Sequence, residues 1–372
     1  RRSWYRLTMK LVVARENQPG ETRVAIVPAL VGRLAALGWE VLVEPGAGDR
    51  AGFTDAAYEE AGALVDPAAV SQADLVVGVR PLDLDGIRAL RRGAAQISFL
   101  DPSADRGVVE ALAASGITAF SMEQVPRISR AQSMDALTSQ ALVAGYRGAV
   151  VAAGLLRRFF PLSMTAAGTV QPAQVLVLGA GVAGLQAIAT VRRLGAVVRA
   201  YDVRASSAEE ISSLGATFLD LGLEPLDGAA GYARTMTPER AEQQRERLAP
   251  YVAEADALIT TAAVPGRQAP ILVSTEMVAA MRPGSVVVDL VADVGGNVEG
   301  SVPGKLVSVA GVQLWGGENV PAQMPGPASE LYAQNVLSLV GLMTRHGQLA
   351  PDLDDEIVAG ALVTHGGAVI AR

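Results

Sequence analysis

Short, continuously apolar runs alternate along the chain with longer stretches in which apolar residues recur every three or four positions. Leu11-Val12-Val13-Ala14, Val41-Leu42-Val43, Leu75-Val76-Val77, Ile97-Ser98-Phe99-Leu100 and Thr118-Ala119-Phe120 are too short and too evenly apolar for amphipathic helices, and read as strands buried on both faces. Between them, Ala29 to Leu37, Ala56 to Ala61, Ile87 to Arg92 and Val108 to Ala114 read as helices. Such alternation predicts a doubly wound parallel sheet. Ser133 to Phe160 is mostly helical in pattern and leads to a second series. Its strands are Val175 to Leu178, Val197 to Tyr201, Ala257 to Thr260, Val286 to Leu290, Leu306 to Val309 and Val312 to Trp315, and its helices lie near Val182 to Leu194, Ala208 to Ser213 and Thr275 to Met281. From Ala328 the pattern turns helical again, a tail expected to pack back on the first domain. The expected fold is α/β: a discontinuous first domain of residues 1–132 plus 328–372, and a second of residues 133–327, each a doubly wound parallel sheet, joined by helices.

Composition sharpens this picture. At about 150 residues per domain, 372 residues suit two domains. A net charge of −7 makes nucleic acid a poor partner, and the absence of cysteine excludes disulfides, thiolate metal sites and cysteine nucleophiles. No metal is expected. The longest uncharged window, Phe159 to Val191, exceeds the roughly 20 residues of a membrane span. Pro161, Gln171, Pro172, Gln174 and several glycines interrupt it, so no direct membrane insertion is expected. The basic segment Arg1 to Thr8 precedes no apolar run, and Met9 is the expected native start. Pro238 to Arg247 mixes both charge signs and reads as a solvated helix face.

Val177-Leu178-Gly179-Ala180-Gly181-Val182-Ala183-Gly184 places G-x-G-x-x-G between a predicted strand and a predicted helix. The first glycine permits a tight turn, the second admits a pyrophosphate, and the third lets the helix pack on the sheet. Asp202 closes the next strand 23 residues beyond Gly179, where an acid meets the adenosine ribose hydroxyls. These features point to a Rossmann-like dinucleotide site. A carboxylate there favours NAD over NADP, although Arg204 two residues on is a residue type that accepts a 2′-phosphate. An ordinary tight turn and a surface acid remain the bland alternatives.

A dehydrogenase acting on an alcohol, amine or hydroxy acid needs a group to move a proton as hydride moves. The histidines are His346 and His365 and the lysines Lys10 and Lys305, none at a predicted strand end facing the glycine turn. Such a chain suits hydride transfer between two nicotinamides, where no proton moves at the reacting carbons. Asp101 or Asp135 remains available as a base.

The string Pro126-Arg127-Ile128-Ser129-Arg130-Ala131-Gln132-Ser133-Met134-Asp135-Ala136-Leu137, then Ala166-Ala167-Gly168-Thr169-Val170 and the glycine turn continuing into Leu185-Gln186-Ala187, resembles the NAD(H)-binding domain of proton-translocating nicotinamide nucleotide transhydrogenases. Gly231-Tyr232-Ala233, Thr260-Thr261-Ala262, Pro265-Gly266-Arg267, Pro283 to Leu290 and Asn319-Val320-Pro321 extend the match from about Met9 to the C-terminal segment. The resemblance implies that NAD(H) binds in the interdomain cleft, with Arg127 and Asp135 at the carboxamide and Gln132 where the partner's NADP(H) approaches. Ile128, Ser129 and Thr138 would stand beside them, with Thr138 filling a place that the family often gives to serine. Gly179, Ala180, Gly181, Val182 and Gly184 would line the pyrophosphate and Asp202, Val203 and Arg204 the adenosine ribose. Gly231 and Tyr232 would belong to a loop closing over the cofactor, with Gln244 and Ala263 nearby. It further implies a homodimer, peripheral on the inner face of the bacterial cytoplasmic membrane through membrane-spanning and NADP(H)-binding partner subunits. The chain's end at Arg372 without appended hydrophobic helices fits a separately encoded subunit.

Read from the residues alone, Arg127, Arg130, Gln132 and Asp135 also suit a polar cluster pinning a helix start. The sequence departs from the family at Leu290 to Asn297, at Gly316-Gly317-Glu318 and at Ala322 to Pro327. Alanine dehydrogenase and the lysine-forming saccharopine enzymes share the start Arg15 to Val24. An alanine dehydrogenase needs a lysine near the end of Leu75 to Arg80 and a histidine near Phe99 to Asp101, where this chain has Gly78 and Asp101. A non-catalytic NAD sensor is the third alternative, and the full Arg127, Gln132 and Asp135 set counts against it.

Overall fold

Alternate residues along each central strand belong to opposite faces of a sheet, and both faces are covered. The computed structural model describes residues 8–228, 234, 236–263 and 268–370. In chain order its strands are β1 (Met9–Val13), β2 (Trp39–Val43), β3 (Leu64–Val65), β4 (Leu75–Val77), β5 (Ala95–Ser98) and β6 (Thr118–Ser121). A hairpin of β7 (Ser163–Thr165) and β8 (Gly168–Val170) follows. Then come β9 (Gln174–Leu178), β10 (Val197–Tyr201), β11 (Thr217–Phe218), β12 (Ala257–Thr260), β13 (Val286–Asp289), β14 (Leu306–Val309) and β15 (Val312–Gly316). The tail adds β16 (Thr344–Arg345), β17 (Gln348–Leu349), β18 (Leu362–His365) and β19 (Ala368–Val369).

The chain forms two compact units, one of residues up to Gln140 together with those from Ala322 onward, the other from Ala141 to Pro321. In the first unit the strand order is β19-β18-β6-β5-β4-β1-β2-β3, with β1 to β6 all parallel. Leu11, Val13, Leu75, Val77 and Ile97 face the helix Pro325–Met343, which buries Tyr332, Val336 and Val340 against them. Val12 and Val76 face the other way, onto Ile87, Val109 and Leu112 of the crossover helices. Covering on both faces is why these strands read as continuous apolar runs.

The second unit has the order β11-β10-β9-β12-β13-β15-β14, parallel except for β14 against β15. Val175, Val177, Ile259 and Val288 pack on Ile188 and Val191. Leu176, Leu178 and Leu258 pack on Leu248, Val252 and Val278. The charged stretch forms one face of the helix Pro238–Glu254, capped by Thr237 and burying Gln244, Leu248 and Val252 on its other face.

One expectation changes. The tail is helical only to Met343; beyond it lie the hairpin β16-β17, the short helix Glu356–Ala361, and β18 and β19, which join the first sheet antiparallel. A two- to four-residue edge strand carries too little periodicity to separate it from a helix end. The uncharged window divides into an exposed hairpin, the strand β9 and the helix Val182–Arg193, and among the described residues no helix is long and apolar enough to cross a membrane.

At the carboxyl ends of β1 and β4, where the strand order of the first sheet reverses, a buried polar cluster fills the space. Glu21 and Arg23 form a two-bond fork at 2.8 and 2.7 Å, Arg80 Nε reaches Glu21 at 3.1 Å, and Arg23 also donates to Gln140 at 2.8 Å. Burial alone would raise the Glu21 carboxyl, but the bonds and charges of Arg23 and Arg80 bring it down to about 2. Glu16 accepts the Val79 N–H at 2.6 Å and the Arg80 N–H at 3.2 Å, yet burial dominates and pushes it up to about 7.

Because Glu16 holds its proton more tightly folded than unfolded, its stabilising contribution is complete below about pH 4.5 and is lost as pH rises through about 7. We predict that Glu16→Gln flattens this dependence and stabilises the chain near pH 9 by at most about 3 kcal/mol. Denaturant unfolding at about pH 5 and about pH 9 measures it. Parallel losses in both proteins would show that Glu16 does not titrate in this range.

Candidate dinucleotide-binding site

In an open parallel sheet, a ligand site lies outside the carboxyl ends of the strands where the order reverses. In the second unit that point falls between β9 and β12. Gly179, directly after β9, has φ +96°, a conformation L side chains rarely adopt, and a Cβ there would lie 2.7 Å from Thr261 Oγ1. A Cβ at Gly184 would overlap the carbonyl oxygen of Gly179, so that glycine sets how closely the helix Val182–Arg193 approaches the strand. Gly181 differs. It precedes the helix, supplies no side-chain cap, and a Cβ on it would meet nothing within 4 Å. The first turn of the helix, from Val182, holds no acidic residue. Orphan N–H groups and the positive end of the helix dipole there suit an anion such as a pyrophosphate.

Asp202, directly after β10, turns back toward this corner. Its Oδ2 accepts the Ala180 N–H at 2.7 Å, and its Oδ1 accepts the backbone N–H and Nε of Arg204, both at 2.9 Å. Arg204 Nη2 completes a fork to Oδ2 at 3.0 Å. Burial opposes ionisation of Asp202, but the Arg204 and Ala180 bonds more than offset it and hold the carboxyl below its ordinary value. The Arg204 guanidinium, the residue type that could instead have accepted a 2′-phosphate, is thus engaged with the acid. Val203 packs against the core of Leu176, Leu178 and Leu258 and accepts the Leu226 N–H at 2.8 Å. Gln244 is buried, and its Oε1 accepts from the Tyr201 hydroxyl at 3.2 Å. Ala263 is exposed after β12. Gly231, Tyr232 and the Pro265-Gly266-Arg267 string lie outside the described residues.

In the first unit, Arg127 and Ile128 precede a 3-10 turn, Ser129–Met134, which leads into the helix Ala136–Leu155. Asp135 caps that helix: Oδ1 accepts the Thr138 N–H at 2.8 Å and Oδ2 the Thr138 hydroxyl at 2.6 Å. Arg127 Nε stands 3.8 Å from Asp135 Oδ2. Arg130 forks to Asp355 at 2.7 and 3.1 Å and anchors the turn, while Arg127, Ser129 and Gln132 are exposed. Asp135 thus pins the helix start with Arg127 beside it, but Arg130 turns to Asp355 and Gln132 faces solvent, so the four residues do not form the single cluster expected from the residues.

The loop after β13, which the sequence marks only as a departure from the family, is an organised polar site. Asp289, wholly buried, accepts the N–H groups of Val291, Asn297 and Val298 at 3.2, 3.0 and 3.2 Å and the Thr260 hydroxyl at 3.1 Å. Burial still raises its carboxyl above the ordinary value. The acid at the end of an apolar strand, followed by Gly295-Gly296-Asn297, is the signal that marks such a loop.

Comparison with known proteins agrees with this architecture. Residues 12–144 match the family description "Alanine dehydrogenase/PNT, N-terminal domain", and residues 148–372 match "Alanine dehydrogenase/PNT, C-terminal domain". The chain is 46% identical to an NAD(P) transhydrogenase subunit alpha chain of Rhodospirillum rubrum, over 97% of this chain and 98% of that one. It is 32% identical to the alanine dehydrogenase of Mycobacterium tuberculosis, over 98% and 95%. The crystal structure of transhydrogenase from Sinorhizobium meliloti superposes with a TM-score of 0.86 at 42% identity, over 98% of this chain and 99% of that one. The chain belongs to the alanine dehydrogenase/PNT family.

Proposed function

We propose that this chain is the NAD(H)-binding subunit of a proton-translocating transhydrogenase, in which hydride passes directly between NADH and NADP+ held by a partner subunit. The observation that carries the reading is the corner of Gly179, Gly181, Gly184 and Asp202, which combines a cradle for pyrophosphate with an ionised acid for a ribose. Similarity to the Rhodospirillum rubrum protein along nearly the whole chain supports it. When bound, NADH supplies the hydride. The chain's own residues bind and orient: Gly179 to Gly184 with the helix N-terminus at the pyrophosphate, Asp202 at the adenosine ribose, and Arg127 and Asp135 at the carboxamide. Thr138 holds Asp135 in place, and exposed Gln132 faces the approaching NADP(H). Catalysis on this reading is proximity and orientation.

The positions of the lysines and histidines fit. Lys10 lies at the amino end of β1 and His365 bonds Thr118 at the amino end of β6, the edge of the first sheet opposite its strands' carboxyl ends. Lys305 precedes β14, and His346 sits in the β16-β17 turn. One observation favours a second reading, a stand-alone amino-acid dehydrogenase. Glu16 and Glu123, both pushed up to about 7 mainly by burial, follow β1 and β6 in the first unit and have the proton affinity of a general base.

The partners of this reading are the NADP(H)-binding and membrane-spanning subunits, which tether the chain to the inner face of the cytoplasmic membrane, and a second copy of the chain. The hairpin β7-β8 supports the homodimer. Met164 is 72% exposed and Phe159, Leu162 and Val170 are exposed beside it. No charged residue occurs from Phe159 to Gln174. A lone two-stranded sheet is marginal in water, and an uncharged one that exposes Met164 and Val170 gains from a copy of itself.

Three outcomes are expected. Mixed with the NADP(H)-binding component of a related transhydrogenase, the purified chain catalyses hydride exchange and shows no activity with L-alanine and NAD+; turnover of alanine alone would replace this reading with the second. Arg127→Ala or Asp135→Asn slows hydride transfer on the order of 10²-fold while NADH affinity, read by fluorescence titration, changes far less. Equal losses would count against a positioning role. Light scattering finds a dimer that Met164→Asp converts to monomer, and a dimer insensitive to that change would move the interface elsewhere.

A further inference from the structure

The wall of the NAD(H) corner opposite Asp202 is the segment Thr261-Ala262-Ala263, which leaves the carboxyl end of β12 beside Gly179. Thr261 donates its N–H to Leu178 O at 2.9 Å and its hydroxyl to Gly179 O at 3.1 Å. What fixes the next residue is not a strand but a side chain. Asn297, wholly buried, pairs with the peptide groups of Ala262 as a neighbouring strand would: the Ala262 N–H donates to Oδ1 and Nδ2 donates to the Ala262 carbonyl, both at 2.8 Å. The same Nδ2 donates to Pro270 O at 2.8 Å, and the Asn297 carbonyl accepts the Leu272 and Val273 N–H groups at 2.8 and 3.1 Å. Asn297 thereby joins the segment that follows β12 to Pro270, Leu272 and Val273 further along the chain. Its own N–H is held by Asp289 at 3.0 Å, so the clamp is referenced to the end of β13.

We propose that Asn297 is a positioning residue for NAD(H): it holds Ala262 and Ala263 at the distance from Gly179 that the dinucleotide requires. This rests on the NAD(H) reading above. Asparagine fits uniquely among residues of its size, because the task needs one acceptor and two donors on a planar amide. Aspartate keeps the acceptor and loses both donors, while alanine leaves the half-buried Ala262 peptide without its partner.

The test compares wild type, Asn297→Asp and Asn297→Ala in the full chain, by thermal unfolding, NADH titration and hydride exchange with the NADP(H)-binding component. Well below the melting temperature, Asn297→Ala is expected to raise the NADH Kd roughly tenfold, the loss of about one net hydrogen bond, and Asn297→Asp to follow it. A lower melting temperature with unchanged Kd and turnover in the folded variants would make Asn297 merely structural and overturn the proposal. Failure of the wild type itself to bind NADH would instead overturn the NAD(H) reading, which separates the two. Hydrogen exchange on the wild type decides the matter without a variant. The Ala262 amide is expected to be protected before NADH is added, and free exchange until NADH arrives would mean that the cofactor, not Asn297, builds the wall.

Discussion

The contact between Gly184 and the carbonyl of Gly179 sets the geometry of the second unit. With no Cβ at Gly184, the helix Val182–Arg193 seats its first turn directly on the end of β9. Its N-terminus then points along the reversal between β9 and β12, where N–H groups and the helix dipole favour an anion. Everything around the corner takes its place from that seat. Ala180 presents its N–H to Asp202, Thr261 reaches the Gly179 carbonyl, and Asn297 fixes the residue after it. Any side chain at Gly184 would push the helix away and undo these distances together.

The first unit has a sheet with the same reversal in strand order and a different outcome there. Where the second unit turns on glycines, the chain after β1 carries Glu16 and the chain after β4 carries Arg80. The Glu16 carboxyl takes the N–H groups of Val79 and Arg80, and Glu21, Arg23 and Arg80 close on one another. One crevice is thus lined by open backbone and the other is filled by paired side chains. The cost of burying Glu16 shows in its raised proton affinity, whereas two arginines compensate Glu21.

Much of the fold is legible in the sequence because parallel strands buried on both faces announce themselves as apolar runs and glycine turns punctuate them. The boundaries of β9, β10, β12 and the helix after Gly181 agree within a residue with the runs Val175 to Leu178, Val197 to Tyr201, Ala257 to Thr260 and Val182 to Leu194. The tail strands and the β7-β8 hairpin do not, since strands of two to four residues leave no period to read. Of the candidate site, Gly179, Gly184 and Asp202 declare themselves by spacing. Asn297 does not, because the peptide it pairs with lies 35 residues earlier in the chain.

The sequence by itself determines the α/β class, the glycine turn after β9 and the lack of cysteine in this chain, since these depend on residue type, local period and spacing. Only the tertiary structure decides that Asp135 caps a helix through Thr138, that Arg204 folds back on Asp202, and that an asparagine stands in as a strand partner for Ala262. These arrangements depend on which polar groups burial forces to find one another. The first two pairings lie two or three residues apart and depend on the turn their backbone adopts in the fold, whereas Asn297 and Ala262 are brought together across 35 residues of chain.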